Sequence, residues 1–285
     1  MRIIKRSKGN RSYFYLQHSF RADGRVKTRE KYLGRRIPRN IDAIKAELIR
    51  KARTGMFSGL AKIKANFQKA WRNLPPSARA REKEEIAIAF TYNTNAIEGS
   101  TITLHEAREI IQHQVSPNKS LKDIRETESH GRVFLDMLDE KENISDQTLK
   151  RWHRLIFRET KPDIAGRYRQ YLVRVGGYIA PDWKMVNGLM RRYIIQTRKS
   201  NIQAVELSAR AHYRFEKIHP FGDGNGRIGR LIMNHILWRR GFPMLIVEYR
   251  RRKAYYRALG SDEEGFVSYF LKLYLKIHKA WIQQK

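Results

Sequence analysis

Residues 219–230 read HPFGDGNGRIGR and gather a histidine, an aspartate, an asparagine, two arginines and several glycines in one short stretch. Such a set can supply a base, a metal ligand and an anion cradle. Three motif patterns compete for it. Gly224, Gly226 and Gly229 spell G-x-G-x-x-G, but the dinucleotide fingerprint needs a preceding strand. Here Leu207, Ala211, Phe215 and Ile218 come first, at helical spacing. Asp223-x-Asn225 opens like a calcium loop, yet Ile228 stands where that loop requires glycine and Asn234 where it requires glutamate. The third pattern is a loop joining two helices, with backbone amides at the start of the second.

That pattern has a physical basis. The free N–H groups and positive dipole of a helix start form a phosphate site. Gly224 and Gly226 let main chain approach an anion closely. Arg227 and Arg230 are three apart, so the spacing predicts that both face one anion from the same side of the helix. Asp223 is placed to hold a magnesium ion against a polyphosphate. His219 stands where an imidazole could take a proton from an attacking hydroxyl. After Gly226, the positions of Ile228, Leu231, Ile232, His235 and Ile236 predict one buried helix face.

The elements that must position these residues are mostly helical. Residues 11–34 read as a β-hairpin, with Tyr13 and Tyr15 alternating against Phe14 and Leu16 and a turn at Ala22-Asp23-Gly24. Pro75 and Pro76 break the helical pattern that precedes them. Ile86, Phe90, Asn93 and Ile97 then share a helix face that Gly99 can close, and Thr103 with Glu106 form a capping box. Residues 171–181, YLVRVGGYIAP, are a short strand-like interruption. The expected fold is mainly α, with a short N-terminal β-containing extension. Its expected divisions are a basic hairpin region at 1–36, a helical connector at 37–79 and a main helical domain at 80–285.

Composition narrows the functions. The 285 residues hold no cysteine, which excludes disulfides, thiolate metal sites and a cysteine nucleophile and agrees with a cytoplasmic location. No run of about 18 apolar residues predicts a membrane span, and the first residues carry no apolar core of signal-peptide length. The net charge is +31, and residues 1–60 hold 17 Lys and Arg against 4 Asp and Glu, a surplus of +13. Attraction to nucleic acid and a solvated basic surface both fit that excess. His212 and His153 are expected to pack or hydrogen-bond locally.

The stretch from His219 to Arg230 resembles the signature of the Fic family, H-x-F-x-[DE]-G-N-G-R-x-x-R, without departure. The resemblance extends over about residues 80–285 and implies a helical bundle that moves AMP from ATP to a Ser, Thr or Tyr hydroxyl of a target protein. It implies His219 as the base and Asp223 on Mg²⁺. It places Asn225 and the amides near Gly224 and Gly226 on the α-phosphate, with Arg227 on the outer phosphates. Phe221 would anchor the loop. Residues 171–179, with Leu172, Val173, Arg174, Val175 and Gly176, resemble the family's target-clamping hairpin flap. Tyr255 and Tyr256 resemble a segment lining the nucleotide base pocket.

Thr94 to Ser100, TNAIEGS, fits the family's inhibitory pattern [ST]-x-x-x-E-[GN], on a helix expected at about 80–99. A carboxylate at a helix C-terminus opposes the dipole, so Glu98 calls for a cationic partner. The resemblance implies that partner is Arg230, otherwise aimed at the γ-phosphate, with Thr94 on the same face. It also implies a second direction, in which Glu98 orients water to remove AMP. The expected partners are a hydroxyl-bearing target, the chain itself as acceptor, a second copy in a homo-oligomer, and nucleic acid at the basic N-terminal region, with no membrane. A third functional class is a nucleic-acid-binding regulator that uses the fold as a scaffold.

Overall fold

Alternating aromatic and polar residues over 11–34 form two strands, β2 (Arg11–Ala22) and β3 (Arg25–Gly34), in the computed structural model of the chain. The structure describes residues 1–22, 25–140 and 143–283, so the turn residues Asp23 and Gly24 lie outside it. A further strand, β1 (Arg2–Lys8), pairs antiparallel with β2, from Arg2 opposite Gln17 to Lys8 opposite Arg11. Its sequence, RIIKRSK, has no period-two pattern, because its two isoleucines are adjacent and the rest is polar. Leu16 and Leu33 on one sheet face pack with Leu48 of α1 (Ile41–Asn73), forming a small core. The chain divides into two compact units, residues 1–61 and 62–285, and the division falls within α1.

The second unit is helical, as expected. Pro75 and Pro76 end one helix and start α2 (Pro76–Ile97), since proline fits a first turn whose N–H groups have no partner. Then come α3 (Leu104–Arg108), capped by the Thr103–Glu106 box, α4 (Leu121–Asp139) and α5 (Asp146–Phe157). A two-residue hairpin, β4 (Arg174–Val175) with β5 (Tyr178–Ile179), precedes α6 (Trp183–Lys199), α7 (Ala204–Ile218) and α8 (Asn225–Arg239). The sequence closes with α9 (Arg252–Leu259), α10 (Glu263–Ile277) and α11 (Lys279–Gln283). Among the described residues no helix is long and apolar enough to cross a membrane.

One sequence expectation changes here. The residues of α8 are buried on every side, Met233, Asn234 and Leu237 as fully as Ile228 and Ile232. The helix packs against α2, α4, α5 and α7, so it is the central rod of the unit rather than an amphipathic surface helix. Its arginines therefore enter the protein interior and must be paired there.

Candidate active site

His219 caps α7 in the left-handed conformation, φ 50° and ψ 61°, and turns the chain sharply into the glycine-rich loop. A non-glycine residue there carries strain of order 1 kcal/mol, which surrounding contacts must hold. They do: Arg169, 4% exposed, donates to the carbonyls of His219 (2.8 Å), Tyr171 (2.8 Å) and Pro181 (2.7 Å). Burial lowers the His219 pKa, so the ring is neutral near pH 7. With Nδ1–H donating to the Glu216 carbonyl at 3.3 Å, Nε2 is left as the acceptor.

The loop is fastened from several sides. Phe221 is fully buried and stacks on His153, with ring centroids 3.9 Å apart. His153 accepts from the Gly166 amide through Nδ1 and donates through Nε2 to the Asp223 carbonyl. Asn225 closes the loop on itself: its Oδ1 accepts from the Phe221 amide and its Nδ2 donates to the Phe221 carbonyl, each 2.9 Å. Gly224 has φ 73°, and a Cβ there would overlap the Phe157 ring. It caps α8 without a side-chain hydrogen bond, leaving first-turn N–H groups for an anion.

The two motif arginines pair with different carboxylates. Arg227 pairs with the buried Glu126 and lies over the Phe157 ring, 4.4 Å from its centroid. Lys161 joins this side, with Nζ 3.1 Å from Glu126 and 2.6 Å from Asp223 Oδ2. Burial would raise the Asp223 pKa, but the bond and charge of Lys161, the Gly224 amide and the Arg227 charge together hold the carboxyl below its usual range. Among the described residues no three His, Asp or Glu side chains gather as a metal cluster. A lone aspartate still fits magnesium, which takes one or two carboxylates and completes its shell with phosphates and water.

Arg230, 1% exposed, faces α2 instead. Its Nε donates to Thr94 Oγ1, and its Nη2 donates to the Thr94 carbonyl (3.2 Å) and to Glu98 Oε1 (2.5 Å). Nη1 lies 3.5 Å from the Tyr255 hydroxyl. Burial alone would lower the Arg230 pKa, but Glu98, Tyr255 and Glu216 hold it above the ordinary value, so the charge persists. A Cβ on Gly226 would overlap Glu98 Oε1. The Glu98 carboxylate thus rests on the first turn of α8, where the helix presents its positive end.

Glu216, one turn before His219, has a side chain only 13% exposed, and its desolvation pushes its pKa up to about 7. Its carboxyl and the His212 ring lie against the Cα of Gly229, which explains the third glycine. Tyr255 is 1% exposed and bonds His212 at 2.6 Å, whereas Tyr256 is 48% exposed with its hydroxyl 3.3 Å from the Ile97 carbonyl. In the hairpin, Val175 opposes Tyr178, Gly176 takes φ 56°, and Leu172, Val175 and Ile179 are exposed. The Tyr178 hydroxyl donates to the Lys217 carbonyl at 2.8 Å, tying the hairpin to the end of α7.

The Fic/DOC family profile matches residues 143–237, which include α5, the hairpin, the histidine loop and most of α8. The chain belongs to the Fic family. Among its Fic relatives, the protein adenylyltransferase Fic of Nematostella vectensis is 32% identical over 200 residues, 67% of this chain and 47% of that protein. The protein of the same name from Drosophila ananassae is 30% identical over 208 residues, 69% and 41% of the two chains. The chain therefore spans about half the length of the curated relatives it matches. Among solved structures, Fic-1 of C. elegans superposes with TM-score 0.69 at 28% identity, covering 86% of this chain and 77% of that one. A Fic-domain signaling protein of Bacteroides thetaiotaomicron gives 0.66 at 25%, covering 79% and 96%.

Sequence reasoning missed several residues of this Fic site. Arg169, Lys161, Glu126 and Glu216 lie outside the motif, and each is a single charged residue with no local pattern. The one available signal is electrostatic: Arg227 and Arg230 on a buried helix require acidic partners somewhere in the chain.

Proposed function

We propose that this chain is a protein adenylyltransferase held inactive by Glu98, transferring AMP from ATP to a Ser, Thr or Tyr hydroxyl. The observation that carries the proposal is the Glu98–Arg230 pair laid over Gly226 at the start of α8. Neutral His219 takes the proton from the acceptor hydroxyl through Nε2. The hydroxyl oxygen bonds to the α-phosphorus, the bond to the β-phosphate oxygen breaks, and pyrophosphate leaves. The first-turn amides of α8 stabilise charge on the α-phosphate, and Arg227 and Arg230 take the outer phosphates. Asp223 would hold Mg²⁺, which neutralises polyphosphate charge when bound. Exposed Leu172, Arg174, Val175 and Gly176, with half-buried Val173, offer main chain for an added target strand beside His219. Tyr256 is the better placed of the two tyrosines to border the base, since Tyr255 is spent in the core.

In this reading Glu98 blocks transfer by consuming Arg230 and by occupying the helix end with its own negative charge. The acceptor is a protein hydroxyl, on this chain or another, and a second copy of the chain can shift the α2 equilibrium. The absence of cysteine suits a cytoplasmic setting. A second reading is favoured by one feature: the Glu98 side chain remains 29% exposed while paired, so it could also orient water toward a bound AMP ester. Labelled ATP with Mg²⁺ tests both. Transfer is expected with Glu98→Gly and is lost in Glu98→Gly/His219→Ala. If no variant transfers label, and Glu98→Gly instead stops release of AMP from a modified protein, the removal reading replaces it.

A further inference from the structure

The N-terminal sheet has two unlike faces. One carries Leu16 and Leu33 and packs on α1. The other carries every second residue of β2, Tyr13, Tyr15 and Gln17, with their register partners Arg6, Ile4 and Arg2 on β1 and Tyr32 and Glu30 on β3. Tyr32 lies between the other two tyrosines, 6.3 Å from Tyr13 and 5.3 Å from Tyr15 by ring centroid, and is 53% exposed. The guanidinium of Arg6 sits over the Tyr15 ring at 4.6 Å. A chain of polar contacts then fixes this surface. Arg6 pairs with Glu30 at 2.9 Å, Glu30 accepts from Gln17 at 2.7 Å, and Gln17 accepts from Arg2 at 2.6 Å.

One exposed tyrosine, Tyr32, and two half-buried ones, Tyr13 and Tyr15, share this face, and each leaves apolar ring area in water. Here they gather in a strongly basic part of the sequence: residues 1–34 hold 10 Lys and Arg against 2 Asp and Glu. Glu30 is neutralised by Arg6, so the face presents ring surface within a positive field. Charge alone would suit any polyanion. Aromatic faces set on a rigid sheet and ringed by arginine suit unpaired bases, whose π-faces stack on them while phosphates meet the cations. A duplex hides its base faces and offers only phosphates to such a surface.

We propose that the β1–β2–β3 face carrying Tyr13, Tyr15 and Tyr32 binds single-stranded nucleic acid, with the rings stacking on bases and Arg2 and Arg6 holding phosphates. The proposal concerns a surface outside the histidine loop and rests on nothing in the transferase reading. RNA and DNA single strands share the chemistry, and a 2′-hydroxyl contact would separate them.

The test is fluorescence anisotropy of the full chain with labelled oligothymidine, matching oligouridine and a mixed-sequence duplex, across a salt series. Single strands should bind more tightly than duplex, with affinity falling linearly in logarithmic salt. Tyr32→Ala should weaken single-strand binding by about 5- to 150-fold, the range for one stacked base, while leaving the salt slope unchanged. Tyr32→Phe should bind like the parent protein, because the ring and not the hydroxyl does the stacking. Arg2→Ala should lower the salt slope by about 0.7. Oligouridine binding above oligothymidine, or the reverse, supports the site and names its source. Binding unaffected by Tyr32→Ala, duplex bound as tightly as single strands, or no binding at low salt would each overturn the proposal.

Discussion

On the proposed transferase reading, removing the Glu98 carboxylate should release AMP transfer, and the geometry sets the size of the effect. Oε1 lies 2.5 Å from Nη2 of a guanidinium that is only 1% exposed, while the Glu98 side chain is 29% exposed. Two unit charges near 4 Å attract by about 4 kcal/mol at an effective dielectric constant near 20. The water on the open side of Glu98 and the desolvation of Arg230 reduce this to a net of about 2–3 kcal/mol. Arg230 keeps Thr94 Oγ1, the Thr94 carbonyl and Tyr255, so it is not stranded when Glu98 is lost. Glu98→Ala should therefore raise the initial rate of AMP incorporation by about 30- to 150-fold at saturating ATP. Glu98→Gln keeps a neutral acceptor and should give an intermediate rise, about 5- to 15-fold. Both variants should also lower the thermal midpoint, since Arg230 loses a partner. A Glu98→Ala rate within about threefold of the parent, together with an unchanged midpoint, would refute the energetic argument, because the pair would then carry no net energy.

The desolvated Glu216 predicts a pH-dependent stability effect. Its folded pKa of about 7 lies above the ordinary 4.5, so its favourable contribution is full below 4.5 and is lost as pH rises through 7. Glu216→Gln should leave the midpoint unchanged near pH 4 and stabilise the protein above pH 7, by up to about 3 kcal/mol, measured by thermal unfolding at both values. His153 has the opposite sign. Burial lowers its pKa to about 4, so stability falls as pH drops from 6.5 toward 4, and His153→Gln should remove part of that loss in urea titrations. Asn225→Ala removes both bonds to the Phe221 main chain and should cost about 1–3 kcal/mol by denaturant unfolding, with transfer in a Glu98→Ala background falling further than stability alone explains. Gly224→Ala forces a Cβ into Phe157 at a positive φ and should abolish transfer while the far-UV circular dichroism persists.

Much of the site could be read from the chain because its chemistry is local. The loop and the helix start are contiguous, so spacing alone places His219, Asp223, Gly224, Gly226 and the two arginines around one turn. The Thr103–Glu106 box and the Pro75–Pro76 break are equally local and stand in the structure as their chemistry requires. β1 was missed because pairing, not period, makes it a strand: Ile3 and Ile4 are adjacent and the ladder to β2 supplies the order.

Long-range partnership was beyond the linear pattern. Glu98 and Arg230 are separated by 132 residues, and Arg227 and Glu126 by 101, so their pairing depends on how α2 and α4 pack on α8. That packing also buries α8 all round and sends its two arginines to different carboxylates, although a period of 3.6 residues puts them on one side. Lys161, Arg169 and Glu216 have no sequence signature for the same reason: a single charge acquires meaning only from the group it faces. Local backbone chemistry, written in neighbouring residues, specifies the histidine loop and the helix start. Which charges face that loop and helix start is decided by packing across the bundle, because electrostatic energy depends on separation in space and burial, not on separation along the chain.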